Sequence, residues 1–252
     1  MKNYIDPISL FKQTNFSNTI WWKLKVNISG YQHESENNLV TEIFKNRIFK
    51  LIHPNFYQNT KKLSRVLVQF YEDGYICWID LEKLIIEKYE ITRNKILENE
   101  GFLIKQKIPL ILNWIEGQSA LNNRYLWGGT LGPNFDCSGL IQTAFFIHKI
   151  YTPRDSHQLK SFCKHLFNFK ENQKPLQPGD ILFFGNQEKC DHVGIYKGDG
   201  FYFHSSGNDF GRNGIGVDTI KETNDKISLH YQSKLISAGR VTRNYRWDRT
   251  IR

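Results

Sequence analysis

Apolar side chains recur at helical spacing in the middle of the chain, directly after a loop. The recurring positions are Leu140, Ile141, Ala144, Phe145, Ile147 and His148, three or four residues apart, as on one face of an α-helix. The preceding loop, residues 128–135, contains three glycines and Pro133, which interrupt regular structure. We therefore predict a helix that begins at Cys137.

The segments that follow this helix have the lengths and patterns of β-strands. Residues 181–184 are continuously apolar, which suits a strand that is buried on both faces. Residues 192–196 and 201–205 flank a Lys-Gly-Asp-Gly turn, the pattern of a β-hairpin. Two more strand candidates are 215–220 and 235–241. Residues 151–174 are too weakly patterned to predict an element.

The first part of the chain has many short apolar or alternating runs between turns. The strand candidates are residues 21–28, 39–44, 47–52, 66–70 and 75–79, with turn signals at 29–30, 53–55 and 73–74. Many short strands with close turns predict a small all-β barrel or sandwich. A helix is predicted from Pro109 to Gly117, because proline in the first turn and glycine after the last are its expected ends. The chain length favours two domains, which we place at residues 1–98 and 99–252.

The net charge of +9 is concentrated near the C-terminus. The first 100 residues carry 14 Lys and Arg against 12 Asp and Glu, whereas residues 240–252 carry five Arg and one Asp. Such a tail can bind nucleic acid or an anionic membrane surface. Because no nucleic-acid motif accompanies it, we interpret it as a solvated tail and expect no nucleic-acid partner.

The termini and the cysteines suggest a compartment. Residues 1–16 hold Asp6 and Pro7 where a secretory signal needs a continuous apolar core, and no run has the length of a membrane span. The four cysteines show neither a CxxC pair nor a disulfide framework. These features predict a cytoplasmic protein.

Cys137 is the candidate nucleophile, because it stands at the predicted start of a helix. Unpaired N–H groups and the positive end of the helix dipole favour an anion there, and such settings lower the pKa of a thiol. The alternative is an inert core cysteine, since free cysteine is among the most buried residue types.

His192 and His204 lie on the two strands of the predicted hairpin. Side chains alternate along a strand, so the register decides whether the two histidines share a face. A three-residue loop from Lys197 to Asp199, or an equivalent bulge, sets them directly opposite each other on one face. We predict this register.

Together these residues suit thiol chemistry on an amide. Cys137 would attack, His192 would act as the base, and His204 would orient His192. The backbone N–H of Cys137 is a natural oxyanion donor. Either histidine is alternatively a satisfied structural residue. Zinc held by Cys137, Cys190, His192 and His204 is a further alternative, although the spacing is unlike that of a zinc knuckle.

Asp136 immediately precedes the predicted helix, which makes it a good N-cap worth about 1 kcal/mol. A carboxylate in an open cleft can also bind a substrate ammonium. Asp136 can cap the helix and bind an ammonium at the same time only if one of its carboxylate oxygens stays free.

Five segments in this order resemble the NlpC family of papain-like cell-wall cysteine peptidases. They are residues 125–129, 136–140, 176–184, 192–196 and 202–206. Residues 71–78 are similar to the bacterial SH3-like barrel that precedes this domain in cyanobacterial γ-D-glutamyl-L-diamino-acid endopeptidases, and residues 207–216 extend the similarity to those enzymes.

The resemblance implies an α+β fold, in which a papain-like domain with a helix on an antiparallel sheet follows a small SH3-like barrel. It implies a triad of Cys137, His192 and His204 that uses no metal or organic cofactor. It also implies hydrolysis of the bond between D-glutamate and a diamino acid, such as meso-diaminopimelate, in murein peptides with a free L-alanine amine. A protein that acts on such freed peptides would meet them inside the cell during wall recycling, which agrees with the predicted cytoplasmic location.

The resemblance also implies the residues that bind the peptide. Asp136 and Ser138 help to bind the amine, Tyr125 and Trp127 line the same pocket, and Tyr75 from the barrel closes it. Two other functions stay open. One is a non-enzymatic module that binds wall peptides, and the other is an amidase or acyltransferase that uses the same Cys and His pair.

Overall fold

The computed structural model describes residues 6–52, 64–90, 101–168, 175–186, 188–209 and 211–247. The chain divides into two compact units, Met1–Ile96 with Arg246–Arg252, and Leu97–Tyr245. The predicted turn at 53–55, the predicted boundary between 98 and 99, and Arg249 and Arg252 of the basic tail lie outside the described residues.

The first unit is mostly β-structure. Its elements are α1 (Pro7–Gln13), β1 (Trp21–Leu24), β2 (Ile28–Tyr31), β3 (Leu39–Ile43), β4 (Ile48–Leu51), β5 (Arg65–Phe70), β6 (Ile76–Asp80) and β7 (Ile86–Tyr89). The strands form an antiparallel sheet in the order β3-β2-β6-β5-β4-β1-β7. The unit is mainly β-structure, although it also contains helix α1, which was not predicted, and the SH3-like barrel stays a prediction.

Alternation of side chains builds the core of this unit. In β5, Val66, Val68 and Phe70 are buried, because residues two apart along a strand share a face. Helix α1 starts at its cap Asp6 and adds Phe11, whose ring meets Trp22 edge to face at 5.2 Å. The single strand predicted at 21–28 is wrong, because residues 25–27 leave the sheet between β1 and β2.

The second unit contains a sheet with helices. Its elements are α2 (Gly101–Ser119), α3 (Cys137–Ile147), α4 (Ser156–Phe162), β8 (Lys164–Asn168), β9 (Ile181–Gly185), β10 (Cys190–Gly198), β11 (Phe201–Ser206), β12 (Gly214–Thr219), α5 (Lys226–Lys234) and β13 (Leu235–Arg240). The six strands are antiparallel in the order β12-β11-β10-β9-β13-β8.

Helix α2 is longer than the sequence predicted, and Pro109 lies inside it. The prediction of a start at Pro109 is therefore wrong. Ile104, Ile111 and Ile115 are buried in the core of this unit and Ile108 packs against that core. Burial of this helical stripe outweighs the hydrogen bond that a proline cannot donate. No helix in the described ranges has both the length and the apolar character needed to cross a membrane.

Helix α3 is the centre of the second unit and begins at Cys137, as predicted. Its residues 137–145 are all buried, and it packs against β10 and β11. A helix that is apolar nearly all round belongs in a core. The sequence missed α4 and β8, which lie in the weakly patterned segment, and α5, which follows β12.

The arginines of the predicted solvated tail that are described contact the protein. Arg240 ends β13 and pairs with the buried Asp180, with Nε 2.6 Å from Oδ1. Arg243 lies over the ring of Phe162. The segment up to Arg243 is therefore part of the second unit's structure and is not a free tail.

Candidate active site

The start of α3 is held in place by a close approach of two glycines. A Cβ on Gly139 would lie 2.1 Å from the carbonyl oxygen of Gly129, a distance that no side chain tolerates. Asp136 caps the helix, and its Oδ1 accepts from Gly139 N at 2.6 Å. The loop before Cys137 is thereby packed onto the first helical turn, which fixes the position of the thiol.

Asp136 does more than cap the helix, because it pairs with Arg154. The guanidinium binds both carboxylate oxygens, and side-chain exposures are only 4% for Arg154 and 7% for Asp136. Oδ2 also accepts from Gly128 N at 2.9 Å. Both oxygens of Asp136 are therefore occupied by protein donors, and neither is free for an ammonium.

Ser138 belongs to the same buried cluster. Its hydroxyl donates to Asp136 Oδ1 at 3.3 Å and accepts from Arg154 Nη1 at 2.9 Å. If Asp136 or Ser138 is to bind a substrate amine, Arg154 has to release a contact first.

The hairpin formed by β10 and β11 brings His192 and His204 together on one face. Ile195 pairs with Phe203 and Tyr196 with Tyr202, and a bulge lies between Tyr196 and Gly198. The predicted bulge and the shared face are confirmed. The prediction that the histidines are directly opposite is wrong, because this register offsets them by two residues along the strands. The offset is a diagonal, which side chains of this length can span.

A chain of hydrogen bonds runs from His192 through His204 to Asp218. His192 Nε2 is 2.8 Å from His204 Nδ1, and His204 Nε2 is 2.6 Å from Asp218 Oδ2. His204 is fully buried and Asp218 is 2% exposed. The contact between the two histidines leaves Nδ1 of His192 outside this chain of bonds.

The sulfur of Cys137 lies beside the strand that carries His192. The backbone N–H groups of Val193 and Ser138 hydrogen-bond the sulfur and favour the thiolate. Burial nevertheless raises the pKa of the Cys137 thiol to about 12, and the Asp136 charge adds to this rise. The expectation that the helix start lowers this pKa is therefore wrong, because burial outweighs the favourable N–H groups.

The two histidines are held neutral. Burial, together with His204 and Lys234, lowers the pKa of His192 well below its ordinary value. Burial also lowers the pKa of His204, although Asp218 opposes the shift. The site thus holds a protonated thiol at the start of α3 and neutral imidazoles on β10 and β11.

Two tyrosines surround this group. The Tyr231 ring on α5 lies 4.6 Å from the His192 ring and 4.7 Å from the His204 ring, centre to centre. Burial raises the pKa of Tyr231 to about 12 and also raises that of Tyr125, and the Cys137 charge adds to both shifts. Tyr125 is therefore close to Cys137, and its role as a pocket residue stays a prediction.

The other predicted pocket residues differ in placement. Trp127 follows Tyr125 on the loop before α3, and its side chain is 68% exposed. Tyr75 belongs to the first unit, where it packs partly buried against that unit's core. The role of Tyr75 as a pocket wall stays a prediction.

The zinc alternative does not fit the geometry. Two nitrogens that share a zinc ion, each about 2.0–2.1 Å from the metal, are separated by more than the 2.8 Å seen between His192 and His204. The direct hydrogen bond accounts for this spacing. Cys190 Sγ points to the carbonyl oxygen of His192 at 3.6 Å.

Three residues of the site were missed from the sequence: Arg154, Asp218 and Tyr231. A signal existed only for Asp218, which is a carboxylate inside a strand predicted at 215–220. A buried carboxylate needs a partner. Arg154 and Tyr231 lie in segments where no element was predicted, so no periodicity indicated their direction.

Comparison with known proteins gives relatives of the second unit. Residues 122–236 match the model of the NlpC/P60 family. The gamma-D-glutamyl-L-lysine dipeptidyl-peptidase of Bacillus cereus is 36% identical over 92 residues, which are 35% of this chain and 26% of that protein. The bifunctional muramidase/DL-endopeptidase CwlT of Bacillus subtilis is 35% identical over 121 residues, which are 46% of this chain and 32% of that protein. The chain spans about a third or less of these relatives.

Among solved structures, an NlpC/P60 family protein from Bacillus cereus matches 92% of this chain and 66% of its own chain, with a TM-score of 0.45 and 20% identity. The family match spans Cys137, His192, His204 and Asp218. The match to the NlpC/P60 family model, residues 122–236, lies within the second unit.

Proposed function

We propose that this protein is a cysteine peptidase that hydrolyses the γ-D-glutamyl bond to a diamino acid in murein peptides with a free N-terminal L-alanine. The single observation that carries the proposal is the contact of 2.8 Å between His192 Nε2 and His204 Nδ1. His192 lies on β10, and the N–H of the next residue, Val193, hydrogen-bonds the Cys137 sulfur. Relatives named as peptidases of wall peptides support the substrate class.

In the proposed reaction, Nδ1 of His192 takes the proton of the Cys137 thiol as the sulfur attacks the γ-carbonyl carbon of D-glutamate. A neutral imidazole and a neutral thiol react without prior charge separation, so the raised thiol pKa is compatible with this step. The carbonyl oxygen becomes an oxyanion, and the backbone N–H of Cys137 is its proposed donor.

Collapse of the tetrahedral intermediate breaks the carbon–nitrogen bond. The imidazolium of His192 gives its proton to the leaving amine of the diamino acid. A thioester between Cys137 and the L-Ala-γ-D-Glu acyl group remains. Water, deprotonated by His192, attacks the thioester carbon, and the second product leaves with a carboxylate while the thiol is restored.

The proposed peptide pocket consists of Tyr125, Trp127, Asp136 and Ser138. An exposed Trp127 beside a half-buried Tyr125 offers an apolar surface to a short peptide. Asp136 and Ser138 would meet the L-alanine ammonium after Arg154 gives up a contact. The Asp136 carboxylate would then exchange one cationic partner, Arg154, for another, the substrate ammonium.

We place the reaction in the cytoplasm, in the recycling of wall peptides. Cys77, Cys137, Cys163 and Cys190 are all free thiols, which supports a reducing compartment. Cell fractionation tests this part. Recovery of the protein in an exported fraction would contradict it.

Product analysis by mass spectrometry tests the substrate. The panel is L-Ala-γ-D-Glu-meso-diaminopimelate, the same peptide with L-lysine in third place, and both peptides with an acetylated L-alanine. We expect L-Ala-γ-D-Glu and the free diamino acid from the free-amine peptides, and much slower cleavage of the acetylated ones. Cleavage at another bond would refute the assignment, and equal rates on acetylated peptides would remove the amine site. Binding without products would indicate the non-enzymatic module.

A further inference from the structure

Asp218 is a buried carboxylate whose contacts are almost all directed at one histidine and one arginine. Its Oδ2 accepts from His204. Its Oδ1 accepts from Arg212, with Nε at 3.0 Å and Nη2 in a second contact, and from the Ser228 hydroxyl at 3.1 Å. The two oxygens therefore have different partners.

We propose that Asp218 is a positioning residue that sets the tautomer of His204 and, through His204, leaves Nδ1 of His192 free to take the proton of Cys137. This inference rests on the proposed function, since it concerns the same base. It assigns a role to a carboxylate beyond the three residues that the resemblance implies.

The proton positions follow from the donors and acceptors. An ionised carboxylate only accepts, so the proton of neutral His204 is on Nε2. Nδ1 of His204 then accepts, and Nε2 of His192 must donate across the 2.8 Å contact. A neutral imidazole carries one N–H, so Nδ1 of His192 holds a lone pair. The opposite tautomer of His204 would put the proton of His192 on Nδ1 and block its action as a base.

Arg212 keeps the carboxylate in its charged, accept-only form. Burial raises the pKa of Asp218, but hydrogen bonds from His204 and Arg212 outweigh it and lower the pKa below the ordinary value. Arg212 reaches Asp218 across Gly216, where a Cβ would lie 2.3 Å from the arginine side chain. Its Nη2 also contacts the exposed carboxylate of Asp225.

An asparagine at 218 distinguishes a positioning role from a merely structural one. It has the shape of aspartate but only one acceptor oxygen. Arg212 and Ser228 make three donor contacts to the Oδ1 position, so they favour the amide oxygen of the asparagine at that position. The amide NH₂ then takes the Oδ2 position and faces His204 Nε2. Because the amide then donates, His204 must carry its proton on Nδ1, and the tautomer of His192 reverses. A role confined to packing would leave both tautomers unchanged.

The direct test is ¹⁵N NMR of the full chain with labelled histidine at neutral pH, without added peptide. In the wild type we expect protonated Nε2 on both His192 and His204. In Asp218→Asn we expect protonated Nδ1 on both. The control Asp225→Asn, which removes another carboxylate from Arg212 but touches neither histidine, should keep the wild-type tautomers. A wild-type His204 protonated on Nδ1, or unchanged tautomers in Asp218→Asn, would overturn the proposal.

Kinetics on the murein tripeptide provide the second readout. Asp218→Asn should lower kcat by about 10²- to 10⁴-fold, the usual contribution of a general base, with KM unchanged, while Asp225→Asn keeps its kcat. A reversed tautomer with an undiminished kcat would also overturn the proposal. If the wild type cleaves none of the peptides, the proposed function fails, and the NMR result still decides the tautomer question. If Asp218→Asn does not fold, the wild-type spectrum alone still decides which nitrogen of His204 carries the proton.

Discussion

Removing Arg154 tests how the start of α3 is held. The change is Arg154→Met, which keeps much of the side-chain volume and deletes the charge. Asp136 then remains 5% exposed without its cation. Breaking a buried ion pair by removing one partner costs about 3–5 kcal/mol, because the remaining charge is buried and unpaired. For a unit of this size, that loss corresponds to a fall in Tm of roughly 6–20 °C.

The assay is thermal and urea unfolding at pH 7, with Arg124→Met as the control. Arg124 has an exposed side chain in the second unit, and an exposed substitution should change the free energy of unfolding by less than about 0.5 kcal/mol. The double variant Asp136→Asn with Arg154→Met should recover part of the loss, because no charge stays buried. Equal stabilities for Arg154→Met and Arg124→Met would refute the buried ion pair as the anchor of this loop.

Three further predictions concern the same site. Gly139→Ala should destabilise the protein, because the new Cβ would lie 2.1 Å from the Gly129 carbonyl oxygen. This is opposite to the usual gain from replacing glycine by alanine in a helix, and a raised Tm would contradict the close contact. The rate of alkylation of Cys137 by iodoacetamide should be low at neutral pH and should still increase above pH 9, since burial raises the thiol pKa to about 12. A rate that becomes constant below pH 8 would show a lowered thiol pKa instead. The free energy of unfolding should be constant between about pH 6.5, the ordinary histidine pKa, and about pH 8. At lower pH it should fall by up to about 1.4 kcal/mol per pH unit for each histidine held neutral, because the folded pKa values of His192 and His204 are lowered. Urea midpoints at pH 7.5 and 5.5 measure this, and a midpoint that does not fall, or that falls equally in His192→Gln, would contradict it.

The sequence predicted the parts of the site that depend on local periodicity. The start of α3 at Cys137 follows from a broken loop and a helical apolar stripe. The shared face of His192 and His204 follows from strand alternation and a bulge at the turn. Their diagonal offset could not be predicted, because the exact position of a bulge is decided by contacts with β9 and β12.

The rest of the site depends on contacts between distant segments. Arg154 reaches Asp136 from a segment without apolar periodicity, so its side-chain direction was unreadable. The capping role of Asp136 was predicted, but its occupied second oxygen was not. The start of α2 was misplaced because the usual meaning of proline at a helix start was overridden by burial of Ile104, Ile111 and Ile115.

The most direct test of the account is cleavage of L-Ala-γ-D-Glu-meso-diaminopimelate by two alanine variants of buried cysteines. Cys137→Ala removes the proposed nucleophile, whereas Cys163→Ala removes a thiol from the same unit's core. Both variants should remain folded by circular dichroism. We predict no detectable product from Cys137→Ala and retained turnover by Cys163→Ala. Turnover by Cys137→Ala at the wild-type rate would contradict the assignment of Cys137 as the nucleophile.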